Sequence, residues 1–181
     1  MSGVLARWNR VSEDEAAEEI LACCGSRSWA RGMAARRPLS TEIDLLTACD
    51  EVCRGLGRSD WNEAFLSHPR IGESKAAGES TSRSQTWSGE EQGRVATAVG
   101  DVNLGIAEAN RRYEERFGRI FIVCATGKSA GEILGNLLRR LLNDDAMEFQ
   151  EAAEEQRKIA RLRLRKWLGV ESKRAPSLRS G

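Results

Sequence analysis

A chain of 181 residues, 40% of them hydrophobic, is long enough for one well-filled domain and too short for two ordinary ones. Its 28 Lys and Arg nearly balance 27 Asp and Glu, and the net charge of +1 lacks the electrostatic footprint of a nucleic-acid or acidic-lipid binder. No run of about 18 apolar residues exists to span a membrane, "MSGVLARWNRVSEDE" has no apolar signal region, and "SLRSG" is not a peroxisomal ending, so a cytosolic protein is expected.

The pattern along the chain is helical. Ser12 and Glu15 form a capping box ahead of "AAEEILACC", where Ala16, Ile20 and Cys24 share a face beside Ala17 and Leu21. A short helix through "SWARGMAAR" follows and is stopped by Pro38. Thr41 caps the next, in which Leu45, Leu46, Cys49, Val52, Cys53 and Leu56 recur at helical spacing until Gly55 and Gly57 end it. "DWNEAFL" reads as a brief helix leading to His68. Residues 72 to 87, "GESKAAGESTSRSQTW", are polar, aperiodic and rich in Gly and Ser, and so predict a loop of a length that is often functional. One long helix is then predicted from Ser88 to about Phe117, with Val95, Val99, Val102 and Ile106 inward. "IFIVCA" is the one strand-like stretch. Ser129 with Glu132 opens a leucine-striped helix, and a last helix runs from about Asp145 to Leu168. The expectation is a single all-α domain over residues 1–169, a bundle of about seven to nine helices with one short extended segment at most, and a flexible tail over 170–181.

Five cysteines, Cys23, Cys24, Cys49, Cys53 and Cys124, are an odd number without a secretion signal, which argues against a disulfide framework. Their spacings are not those of zinc ligands, so they are expected to be buried small hydrophobes, with no metal. Gly127-Lys128-Ser129 matches the end of a phosphate loop, but the required glycine is replaced by Ile122, and a turn into a capped helix explains the residues better.

His68 is the only histidine. Pro69 biases it toward extended geometry, Arg70 supplies a positive neighbour, and imidazole is the side chain best matched to proton transfer near neutral pH. A loop histidine without a task fits the same residues. In "WSGEEQ", Ser88 and Glu91 stand at capping-box spacing, and with Gln92 they form a polar patch at a helix start, which serves either as a cap or as a ligand contact. In "KIARLRLRKWL", placing Ile159, Leu162 and Trp167 inward leaves Arg163 near the apolar border, where it can fork onto a carboxylate, while Arg161 and Arg165 lie further out. A solvated basic face is the other reading.

"SHPRIGE", the Ser-x-x-Glu-Gln of 88–92, "NRRYEERFGRIFIVCATGKSAGEIL", "EQRKIARLRL" and the N-terminal "LACCGSRSWARGMAARRP" occur in the order seen in one family. Together, from about Trp8 to Trp167, they resemble 2-oxo-4-hydroxy-4-carboxy-5-ureidoimidazoline (OHCU) decarboxylase, which forms (S)-allantoin in urate breakdown. The resemblance implies a catalytic role for His68, with Glu91 assisting, and substrate contacts from Pro69, Ser88, Gln92 and Arg163. It also implies backbone contacts from Phe121, Ile122, Val123, Cys124 and Ala125. It further implies an all-α homodimer without cofactor or metal, acting on a small molecule with no nucleic-acid or membrane partner. The alternative class is a helical interaction module without activity. Nothing favours it, because each polar position that the family uses is occupied.

Overall fold

Helix starts fall where a short polar side chain can take over backbone N–H groups that have no partner inside the helix. The computed structural model describes residues 3–71, 82–91 and 100–169. Among these it has nine helices and no β-strand. The first five are α1 (Gly3–Trp8), α2 (Glu13–Cys24), α3 (Arg27–Ala34), α4 (Glu42–Arg54) and α5 (Arg58–Leu66). They are followed by α6 (Ser82–Glu91), α7 (Gly100–Phe117), α8 (Ala130–Arg140) and α9 (Asp145–Trp167). Reciprocal capping boxes open α2 at Ser12 and Glu15, α4 at Thr41 and Asp44, and α8 at Ser129 and Glu132. Asp144 caps α9 by accepting from the Met147 N–H.

Two apolar clusters fill the interior. The larger joins α1 to α5 with α9 and contains Trp8, Ile20, Trp29, Leu45 and Leu164. The smaller lies between α7 and α8 and contains Ile106, Tyr113, Ile133 and Leu137. The "IFIVCA" stretch, residues 120–125, runs between them. Ile120, Ile122 and Cys124 enter the first cluster, and Phe121, Val123 and Ala125 enter the second. That period of two belongs to an extended chain, and because both faces are buried the stretch is apolar throughout. Among the described residues it pairs with no neighbouring strand, so the predicted extended segment is present without forming a sheet there.

Three expectations change. Residues 82–87, assigned to the loop, are the first part of α6, while 72–81 lie outside the described residues. The single helix expected from Ser88 to Phe117 is α6 and α7; Val95 and Val99 fall in 92–99, outside the described residues, as does the tail 170–181. Ser88 lies within α6, so with Glu91 it is not the capping pair that their spacing suggested. The polarity of 82–87 has a tertiary cause: Ser84 and Ser88 are buried, and both hydroxyls serve a guanidinium from α9.

All five cysteines are free and buried, as expected of small core residues. Among the described residues no helix is long and apolar enough to cross a membrane.

Candidate active site

His68 follows α5 directly. The α5 C-cap is Ser67, and the His68 N–H donates to the Phe65 carbonyl at 3.1 Å, which fixes where the imidazole leaves the backbone. The turn after α2 sets its depth. Gly25 has φ +85°, and a Cβ there would stand 2.0 Å from Ser67 Oγ. Only glycine allows the two turns to approach so closely. His68 is therefore buried at 6% exposure, not partly exposed as a loop position would suggest. Burial holds its pKa well below the ordinary 6.5, the positive charge of Arg163 depresses it further, and Gln156 acts in the opposite direction. Burial and the Arg163 charge both favour the neutral ring.

Arg70, expected as the positive neighbour, turns away. Its guanidinium forms a two-pronged pair with Glu114 of α7 at 2.6 and 2.8 Å. The cation acting on His68 is Arg163, from nearly a hundred residues downstream. Arg163 is fully buried instead of lying at the apolar border. Its Nε and Nη2 donate to the two Glu91 oxygens at 3.1 and 2.9 Å, and Nη2 also donates to Ser88 Oγ at 2.8 Å. Nη1 donates to Ser84 Oγ at 3.1 Å and to the Ala22 carbonyl at 3.3 Å. A guanidinium has five N–H donors, and here each has an acceptor. Arg161 and Arg165 do lie further out, paired with Asp50 and Glu42 respectively.

The extended segment is held from outside. Arg140 Nη1 donates to the Ile122 carbonyl at 2.6 Å, the Cys124 N–H donates to Glu155 at 2.7 Å, and Lys128 Nζ donates to the Cys124 carbonyl at 2.6 Å. Arg140 is itself fixed by Glu148, which also accepts from Tyr113 and Asn143; Arg140 and Glu148 are 1% and 0% exposed. The backbone groups of Phe121 and Val123 have no hydrogen bond to another described residue. An extended chain alternates its backbone direction as it does its side chains, so the Ile122 and Cys124 edge is occupied while the Phe121 and Val123 edge has no partner among the described residues.

These parts meet at one small cavity. His68, Pro69, Ser88 and Glu91 line it, together with Phe121, Ile122, Val123 and Ala125. Ile71 and Ile159, not anticipated from sequence, complete the wall. Arg163 lies behind Glu91 and Ser88. Cys124 does not line the cavity, because its backbone is turned to Glu155 and Lys128. Gln92 lies outside the described residues. Sequence reading also passed over Ser84, Glu155 and Gln156. A helical-wheel reading from Arg163 puts Ile159 and Gln156 on its face, four and seven residues back.

The cavity has room for about 20 Å³ of solvent, the scale of one water. An open groove of about 700 Å³ between α4, α5 and α9 is larger, but its carboxylates Asp50 and Glu154 already bind Arg157. In the small cavity a buried imidazole and a paired carboxylate converge. Among the described residues no group of three His, Cys, Asp or Glu side chains is arranged to hold a metal ion.

A family profile described as OHCU decarboxylase matches residues 9–165. The chain is 33% identical over 156 residues to a uric acid degradation bifunctional protein of Arabidopsis thaliana, covering 86% of this chain and 48% of that protein. It is 34% identical over 131 residues to a 2-oxo-4-hydroxy-4-carboxy-5-ureidoimidazoline decarboxylase of Amia calva, covering 71% and 73% respectively. A crystal structure of OHCU decarboxylase in the presence of (S)-allantoin matches with a TM-score of 0.72 and 32% identity, over 84% of this chain and 98% of that one. The chain spans about half the length of the first of these relatives.

Proposed function

The chain belongs to the OHCU decarboxylase family, and from that premise we propose that it decarboxylates 2-oxo-4-hydroxy-4-carboxy-5-ureidoimidazoline to (S)-allantoin without a cofactor. The observation that carries this reading is the meeting of the buried neutral His68, the Glu91–Arg163 pair and the unpaired Phe121–Val123 edge at one cavity.

The departing carboxylate is on a carbon next to a ring C=N bond. When its C–C bond breaks, CO2 leaves and the electron pair forms a C=C bond to the neighbouring ring carbon, while the C=N pair moves onto nitrogen. The substrate thus carries its own electron sink. The hydroxyl on the reacting carbon then loses its proton as it becomes a carbonyl, and the neighbouring carbon takes one. Net, one proton is taken up for each CO2 released. His68 is suited to take the hydroxyl proton because burial keeps it neutral. Glu91 assists, and delivery of a proton to one face of the neighbouring carbon sets the (S) configuration.

With all five donors of Arg163 occupied, a substrate oxygen can reach that fork only by displacing an acceptor. Glu91 is the one to yield. It belongs to the catalytic pair, and a cavity of about 20 Å³ must enlarge before a ligand of this size fits. The exchange moves the carboxylate off the guanidinium at the moment the substrate needs it. Pro69, Ser88 and Gln92 complete the contacts, with the Phe121–Ala125 backbone as the other wall; Cys124 contributes through its neighbours' peptide groups. The same reading takes the enzyme as a cytosolic homodimer. Exposed Leu104, Leu138 and Leu142 on the α7 and α8 flank support a covered apolar face.

The test uses urate with uricase and hydroxyisourate hydrolase to generate substrate. The wild-type protein should speed its decay and give single-handed allantoin by circular dichroism. His68→Ala should lose about 10²–10⁴-fold in turnover, the usual contribution of general acid–base catalysis, with helical content unchanged. Racemic product at the spontaneous rate with wild-type protein would end the proposal, and wild-type turnover in His68→Ala would end the mechanism.

A further inference from the structure

The face of α9 that carries Arg163 also carries Gln156, whose side chain is fully buried. Its Nε2 donates to the Cys24 carbonyl at 3.1 Å, at the end of α2. The amide cannot be reversed, since that would set its oxygen against the carbonyl. Its Oε1 is therefore directed away from α2 and has no hydrogen-bond partner. Nε2 of His68, on a ring that is itself buried, is likewise without a hydrogen-bond partner. Cys24 precedes Gly25, which abuts Ser67, and Ser67 precedes His68, so the amide anchor and the imidazole belong to one contact. An acceptor and a ring nitrogen, both dry and both unmet, are rare in native proteins unless something uses them. Catalytic hydrogen bonds are often long before substrate arrives and tighten in the complex.

We propose that Gln156 is a positioning residue for His68: its carboxamide oxygen accepts the hydrogen on Nε2 in the ligand complex and leaves Nδ1 to take and return the proton. The nitrogen that holds the proton in a neutral imidazole is set by the hydrogen bond the other nitrogen makes. A carboxamide does this without adding charge. Gln156 favours the protonated ring, against burial and against Arg163. Glu91 on α6 lines the cavity with His68, Arg163 on α9 lies behind it, and Glu155 on α9, Cys24 on α2 and Cys124 on the extended segment lie outside its lining. Glu91 is paired with Arg163 and Glu155 with Lys158, and burial raises the pKa of both thiols. The proposal rests on the catalytic reading of His68 above, but its main test does not.

With one histidine in the chain, nitrogen-15 NMR of histidine-labelled protein reads this ring alone. In the wild-type complex with (S)-allantoin, the hydrogen should sit on Nε2 and exchange slowly with solvent. Gln156→Leu should lose that protection and lower the imidazole pKa, with kcat falling about ten-fold or more, part of the range that acid–base catalysis supplies, and KM little changed. Gln156→Glu retains the acceptor and adds charge, so it should keep the Nε2 hydrogen and move the pKa upward. A hydrogen found on Nδ1 in the wild-type complex overturns the proposal even if neither variant folds. So does a Gln156→Leu protein with the wild-type spectrum and kcat. If His68→Ala proves fully active while the Nε2 hydrogen is found, the hydrogen bond that orients the ring stands, and the catalytic reading of His68 fails together with the proton transfer assigned to Nδ1.

Discussion

Glu91→Gln separates the two tasks assigned to that side chain. The swap keeps shape and removes the charge that faces a guanidinium with no exposure. One Gln oxygen can still accept from Nε or Nη2, while its NH2 opposes the other, so at least one buried donor is left unmet. An unmet buried donor costs about 1–3 kcal/mol, and breaking a buried ion pair costs about 3–5 kcal/mol. Ser84, Ser88 and the Ala22 carbonyl still hold three of the donors. The expected loss is therefore between those limits, about 2–4 kcal/mol, or a fall in Tm of roughly 4–16 °C for a domain of this size. Urea unfolding followed by helical circular dichroism measures it. Turnover should fall, yet (S)-allantoin should bind at least as tightly as to wild type, because the fork no longer has a carboxylate to displace. The ligand should thus raise the variant's Tm by at least as much as the wild type's. A loss below about 1 kcal/mol would refute the buried-pair argument, and weaker allantoin binding would refute the exchange of acceptors on Arg163.

Other outcomes follow from the same geometry. Because the folded-state pKa of His68 is depressed, the unfolded chain takes a proton below pH 6.5 that the folded chain refuses. Stability is fully present above that pH and falls on acidification, by up to about 1.4 kcal/mol per pH unit. His68→Asn should flatten this dependence in urea titrations, leaving the separate loss below about pH 4 from lowered carboxylates such as Asp44 and Asp50. An unchanged slope would mean the ring is not buried neutral. Gly25→Ala combines a left-handed backbone with a 2.0 Å contact to Ser67 Oγ and should cost about 2–5 kcal/mol while also lowering activity through His68. Full activity at wild-type Tm would contradict the close approach. Arg140→Met should cost about 3–5 kcal/mol by stranding Glu148, and adding Glu148→Leu should recover part of it, as measured by the midpoint of denaturant unfolding. A double variant less stable than the single would refute the pairing.

The sequence by itself determined the features that arise between near neighbours. Ser12, Thr41 and Ser129 cap helices because a hydroxyl three residues before a free N–H can reach it in any surroundings, and the apolar stripes place Ile20, Leu45 and Ile133 inward through periodicity alone. "IFIVCA" is legible as extended for the same reason, although only the packing shows that its two faces feed separate cores. What the tertiary structure decided concerns groups whose partners are distant along the chain. Ser88 and Glu91 have the spacing of a cap, but a buried guanidinium 72 residues from Glu91 needs acceptors, and it draws them from α2 and α6 together. Arg70 looks like the neighbour of His68, yet a carboxylate on α7 holds it elsewhere. Gln156 has no local signature, since an unmet amide oxygen exists only once the surrounding helices have excluded water. Short-range geometry is encoded in spacing. The desolvation that makes an imidazole neutral and an ion pair costly to break appears only when the chain closes around them.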